Sequence, residues 1–148
     1  MTRDHNLKTY GAIFPIQQQN VDPLFNQEKN VFVKFTNFTK LKKHMIIIFY
    51  SKKKLIGEGT IQKTERIDPE TAWNQYKNKI FLNKEEFEDY VNISPITKQE
   101  RKKRNINIFH LKLNKFKNPI TCHYVINAAG QYISKEEYQT IKGISNNI

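Results

Sequence analysis

Residues Met45–Tyr50 read Met-Ile-Ile-Ile-Phe-Tyr, a continuous β-branched and aromatic run in a chain of 148 residues. A run of this kind and length predicts a central strand buried on both faces, and so a sheet covered on both sides. It is far shorter than the roughly 18–20 residues needed to span a bilayer. Ser51-Lys52-Lys53-Lys54 reads as a turn, and Leu55–Ile67 as the second arm of a hairpin. That arm carries Gly57-Glu58-Gly59, and two glycines inside a strand mark a bulge or a close approach by a ligand or another backbone.

The remaining elements follow from period and capping signals. Lys8–Pro15 alternates as a first strand, with Tyr10, Ala12 and Phe14 on one face. Asp22-Pro23 predicts a helix N-cap followed by proline, opening a short helix that ends near Glu28-Lys29. Asn30–Thr36 alternates as a strand. Asp68-Pro69 repeats the cap signal ahead of Trp73, Tyr76 and Ile80, spaced for one helical face. Asn83 and Glu86 form a capping box for a second helix bearing Phe87, Tyr90 and Val91. Asn105–Phe116 predicts a strand with a bulge near Ile108, and Thr121–Ile126 a last strand. Ser134-x-x-Glu137 opens a final helix. The order β-α-β-β-β-α-α-β-β-α, with mostly hairpin-linked strands, predicts an α+β fold: a small mixed β-barrel with helices packed on the outside. Without a repeat or a Pro- or Gly/Ser-rich linker, residues 1–148 read as one domain with its core in about 8–142.

The formal net charge is +11 and the pI near 9.7. With 21 Lys, 4 Arg, 16 Asn and 19 Ile, AT-rich coding accounts for much of that total, so its distribution is more informative. Residues 29–66 sum to +8, residues 67–97 to −3 and residues 98–117 to +7. Two basic blocks around an acidic helical segment predict a polyanion-facing surface. Aromatics interleave with the basic residues: Phe32, Lys34, Phe35 and Phe38, then Phe49, Tyr50 and Lys52 to Lys54. Lysine neutralises phosphate and an aromatic face stacks a base, a mixture suited to single-stranded or flipped nucleotides.

Other chemistries find little support. The four histidines are scattered, and Cys122-His123 are adjacent rather than at a ligand spacing, so we expect no metal and no cofactor. A single cysteine forms no intramolecular disulfide. The polar N-terminal stretch is unlike a signal peptide, and we expect a soluble cytoplasmic protein with no membrane partner.

The order of elements, Tyr10-Gly-Ala-Ile-Phe-Pro15, Val31-Phe-Val-Lys34 and the central Ile46–Tyr50 with Ile56-Gly-Glu-Gly59 resemble the PUA-like superfamily, which includes PUA, ASCH, EVE and YTH domains. More closely, Glu28-Lys-Asn-Val-Phe-Val-Lys34, Phe81-Leu-x-x-Glu85-Glu86-Phe87 and Gly130-Gln-Tyr132 are similar to an archaeal family, domain of unknown function 365. The resemblance spans about residues 8–142. It departs from the ASCH pattern at Asn30, where Thr is common, and at Phe32, where polar residues are frequent.

The resemblance implies a pocket between the barrel and the helix after the first strand, holding RNA, a modified base or a nucleoside-like molecule. Mapped here, Lys29 and Lys34 line it, Tyr50, Ser51 and Lys54 stand at the hairpin, and Trp73 or Tyr132 near the rim. Lys52, Lys53 and the basic run Arg101, Lys102, Lys103 and Arg104 add phosphate contacts. Glu58 has two readings: a salt-bridge partner, or a carboxylate beside Lys29 that in a hydrolase acts as general base. The leading expectation is a module that binds RNA or another nucleic acid. The alternative is an ASCH-type hydrolase of an acylated nucleoside or of RNA, with Lys29 and Glu58 as its working pair. A third option is a protein-interaction domain using the acidic helices 68–91.

Overall fold

A computed structural model describes residues 8–35, 38–92, 105–122 and 126–147. The strands are β1 (Thr9–Pro15), β2 (Val31–Lys34), β3 (Ile46–Ser51), β4 (Lys54–Ile67), β5 (Ile106–Thr121) and β6 (Gln131–Ser134). The helices are α1 (Val21–Phe25), α2 (Pro69–Tyr76), α3 (Lys84–Asn92) and α4 (Lys135–Asn147), with a 3-10 turn at Gln18–Asn20 ahead of α1. This is the expected α+β succession.

The six strands form one mixed sheet in the order β2-β5-β4-β3-β1-β6. Only β1 and β3 run parallel, with Gly11 opposite Ile46 and Pro15 opposite Tyr50; the other pairs are antiparallel. Ladder bonding among the described residues leaves β2 and β6 as separate edges, whereas a closed barrel was expected. The sheet is nevertheless strongly curled. Phe14 on the fifth strand of the order and Phe32 on the first have ring centroids 5.4 Å apart. The concave face holds one core cluster, including Ala12, Phe14, Phe32, Ile47, Phe49 and Leu111. The opposite face holds a second, in which Ile13, Ile46, Ile48, Leu55 and Ile133 lie with Ile141 of α4. Strand β3 feeds both clusters, which is why its apolar run is unbroken.

Three of the capping signals are realised. The Asp68 carboxylate accepts the Thr71 N–H at 2.9 Å. Asn83 and Glu86 bond reciprocally at 2.8 and 3.0 Å, and Ser134 and Glu137 at 3.2 and 3.0 Å. The fourth is corrected: Asn20, not Asp22, takes the N-cap position of α1. Asp22 lies inside the first turn, where it accepts bonds from the Asn26 and Gln27 amides. Those bonds hold its carboxyl below the usual range. The helix stops at Phe25, short of the expected Glu28-Lys29.

The last strand is also corrected. Strand β5 continues through Thr121 because β4 gives it a partner as far as Lys54, and Cys122 N–H still bonds to Lys53. The chain then turns at Asn127–Gly130 and re-enters the sheet at Gln131 beside β1. The expected strand Thr121–Ile126 is thus the end of β5, with residues 123–125 outside the described set. The bulge expected near Ile108 is corrected: β5 pairs without interruption from Ile106 to Leu111, and the extra residue is Gln62 on β4, where Ile61 faces Leu111 and Lys63 faces His110. Ile80 lies beyond the end of α2 and forms a parallel bridge with Val31.

Candidate functional site

A cleft of about 590 Å³ opens where β1 ends. The chain leaves β1 through Ile16, whose N–H bonds to Tyr50 at 2.8 Å, and winds into the 3-10 turn. Gln17, Gln19 and Asn20 form one wall, Phe32 to Lys34 of β2 the next, and Phe81, Glu86, Asp89 and Tyr90 the third. Gln19 Nε2 donates to Glu86 Oε2 at 2.7 Å, tying the first wall to α3. Tyr90 accepts the Phe35 N–H at 2.6 Å, tying α3 to the end of β2. Phe32 is buried, stacked on Phe81 at 5.2 Å and edge-on to Phe49 at 5.1 Å. It therefore closes the floor of the cleft with an aromatic face where a polar group was noted as frequent in related domains.

Asn20 is the buried polar residue in this lining, at 5% exposure. Although it holds the N-cap position, its side chain makes no cap bond, because its backbone is already helical at φ −95° and ψ −6°. Lys34 places its ammonium 5.0 Å from the Phe14 ring centroid. Among the described residues, the cleft thus combines amides, aromatic rings, one cation and two carboxylates.

Of the residues expected at the site, Lys34 lines the cleft. Tyr50 and Ser51 adjoin it, since the Tyr50 carbonyl anchors Ile16 and Ser51 Oγ donates to Gln18 Oε1 at 3.2 Å. Lys52 and Lys53 are exposed at the hairpin tip, in left-handed conformations with φ of 49° and 65°. Lys54 is exposed and pairs with Thr121. Lys29 lies apart, its ammonium donating to the Asn78 carbonyl at 2.8 Å.

Glu58 is 7% exposed and faces α4, where it accepts from Tyr138 and Lys142, each at 2.7 Å. Burial first, then the bond to Glu58, pushes the Tyr138 hydroxyl above its ordinary value. No bond joins Lys29 to Glu58 among the described residues. Trp73 lies in a separate groove of about 570 Å³ between α2 and α3, its ring 5.2 Å from Phe87. Tyr132 accepts the Lys40 N–H at 3.3 Å and lies edge-on to Phe38 at 5.1 Å. Arg101, Lys102, Lys103 and Arg104 lie outside the described residues.

Sequence reasoning missed the amide wall, although Gln17-Gln-Gln-Asn20 directly after the first strand was a visible signal. It also missed a cluster between β4, β5 and α2. There Glu65 Oε2 accepts from Tyr76 and stands 2.7 Å from His110 Nε2, with the Tyr76 and His110 rings 4.8 Å apart. The Tyr76 bond, then the His110 bond, holds the Glu65 carboxyl below its ordinary value. These residues are far apart in the chain, so no local spacing links them. Among the described residues, no three His, Cys, Asp or Glu side chains are arranged to hold a metal ion. No helix among them is long and apolar enough to cross a membrane.

Residues 9–135 match the family model of a domain of unknown function, DUF365. This chain belongs to the DUF365 family. A DUF365 member is thus what carries the cleft described above. The chain is 30% identical over 104 residues to the uncharacterized protein MJECS03 of Methanocaldococcus jannaschii, covering 66% of this chain and 96% of the relative. Among solved structures, it is similar to the ASCH protein of Zymomonas mobilis. A Tyr→Phe variant of that protein superposes with a TM-score of 0.74 at 16% identity, covering 90% of this chain and 97% of the other. A Ser→Ala variant gives 0.73 at 18%, covering 93% and 98%. The DUF365 chain therefore has an ASCH-like, PUA-like fold.

Proposed function

We propose that this DUF365 chain is a nucleic-acid-binding module that holds an unpaired base in the cleft beside β1. In this reading the lysines of the β3–β4 hairpin meet the adjoining phosphates. The observation that carries the reading is the cleft itself. The half-buried Tyr90 ring over an apolar floor of Phe32 and Phe81 suits the face of a base, and the cleft's amides suit the base's hydrogen-bonding edge. Ser51, one residue from the hairpin tip, is bonded to Gln18 of the cleft's 3-10 turn, so Lys52 and Lys53 stand close to its wall. The curled sheet serves as the barrel of a PUA-like domain, and a cytoplasmic location follows from an RNA partner.

Binding is favoured over hydrolysis because the pair required for chemistry has other partners. Lys29 is bonded to Asn78, and Glu58 to Tyr138 and Lys142. A general base needs to reach its proton within hydrogen-bond distance.

Single-stranded RNA oligonucleotides titrated at several salt concentrations test the proposal. The slope of log affinity against log salt should be about −0.7 per phosphate contacted. Replacing Lys52, Lys53 and Lys54 together by alanine should weaken binding and flatten the slope. Absence of RNA binding at low salt would overturn the reading. Turnover of an N-acylated cytidine that is lost in Lys29→Ala would favour the hydrolase instead.

A further inference from the structure

Asparagine at a helix N-cap ordinarily uses its side-chain oxygen to accept a backbone N–H. Asn20 holds that position without doing so, is 5% exposed, and has no side-chain hydrogen-bond partner among the described residues. A buried carboxamide carries two donors and an acceptor, and burying them unmade opposes folding. Lining a cleft, such a group is open to a ligand that offers it a matching donor and acceptor. Asn20 lines the cleft together with Gln17, Gln19 and the rings of Phe32, Phe81 and Tyr90.

The charges around it narrow the ligand. Among the described residues, Glu86 and Asp89 line the same cleft against one cation, Lys34. Glu86 already accepts from Gln19 and from the Asn83 N–H, which fixes its carboxylate at the cleft wall. A phosphate inside the cleft would meet two carboxylates and one ammonium. A neutral planar ring would meet no such opposition, and the carboxylates could accept from an amino group or a sugar hydroxyl.

We infer that Asn20 is the specificity-determining contact of the cleft and pairs edge-on with a neutral heterocycle bearing an adjacent donor and acceptor, as nucleobases do. The phosphates stay outside, on the hairpin lysines. The ligand class rests on the nucleic-acid reading above, whereas the role of Asn20 rests on its burial and its unused amide.

The test titrates the full chain with adenosine, guanosine, cytidine and uridine, and with their 5′-monophosphates, followed by amide chemical shifts. At least one nucleoside should bind, with its monophosphate no tighter. Asn20→Leu should weaken that binding at least tenfold without lowering the melting temperature, because it removes an unsatisfied group. A residue serving only structure would show the reverse: a lower melting temperature and unchanged affinity. Should Asn20→Leu be unstable, the isosteric Asn20→Asp should also lose tenfold, and wild-type affinity in it would overturn the inference. Wild-type chain that binds RNA oligonucleotides but no nucleoside would overturn the inference while leaving nucleic-acid binding intact.

Discussion

Lys142 of α4 donates to Glu58 of β4 at 2.7 Å, and the same carboxylate accepts from Tyr138 one helical turn earlier. The glutamate that stands between two glycines is thus the anchor of the C-terminal helix. Lys142 also lies 5.3 Å from the Phe116 ring centroid, so the cation is held between a carboxylate and an aromatic face.

Removing the anchor should loosen α4. Glu58→Ala leaves a half-buried ammonium and a half-buried phenol without their acceptor, and should cost about 2 kcal/mol. That is below the cost for a fully dry pair, because the Lys142 side chain keeps 26% exposure. Urea unfolding measures it, and loss of amide protection confined to α4 and β6 would identify the helix as the part released.

Tyr138 should shape the alkaline limb of stability. Its proton is held more tightly in the folded chain than in the unfolded one, whose phenol titrates near 10. Above that pH the unfolded state binds fewer protons than the native state, so stability falls as pH rises. Tyr138→Phe should flatten the decline between pH 10 and 11 in thermal melts. An unchanged slope would assign the decline to other groups.

Glu65 should shape the acid limb. Tyr76 and His110 favour its ionised form, so the stability it contributes is present above about pH 4.5 and lost as pH falls through its lowered folded value. Tyr76→Phe removes the larger of the two causes. The acid unfolding midpoint should move to higher pH, with little change in stability at pH 7 beyond the lost hydrogen bond.

The hairpin tip should trade stability for binding. Two-residue hairpin loops with both central residues left-handed favour Asn-Gly, yet Lys52 and Lys53 occupy those positions here. The double variant Lys52→Asn with Lys53→Gly should gain about 1 kcal/mol of stability by relieving the backbone. Its RNA affinity should fall, and its salt slope should be shallower than that of the wild type. A variant that is more stable and binds equally well would show that the tip lysines serve solubility.

Gly11 should tolerate no side chain. A Cβ there would strike the backbone carbonyl of Ile46, its partner on the parallel strand. Neither strand can retreat without opening the centre of the sheet. Gly11→Ala should therefore cost about 3 kcal/mol, read from denaturant midpoints.

Much of this architecture was legible locally. The unbroken run at Met45–Tyr50, the Asp68, Asn83 and Ser134 caps and the alternation in β1 and β2 each declare an element through neighbours in the chain. Asp22-Pro23 misled because proline is acceptable throughout the first turn of a helix, not only directly after the cap. The last strand was misplaced because its pairing depends on β1, more than a hundred residues earlier. At the site, Lys34 was found through the family resemblance. Glu58 was singled out for its glycine setting, and its orientation toward α4 could not be read from that setting.

The sequence by itself determined which segments become strands and helices and where positive charge concentrates, because both are properties of near neighbours. Only the tertiary structure decided that β1 lies parallel to β3, that the sheet curls until Phe14 meets Phe32, and that Asn20 ends buried with no side-chain partner among the described residues. Those outcomes depend on which distant surfaces pack against one another. A side chain's partners are set by that packing, and no spacing along the chain encodes them.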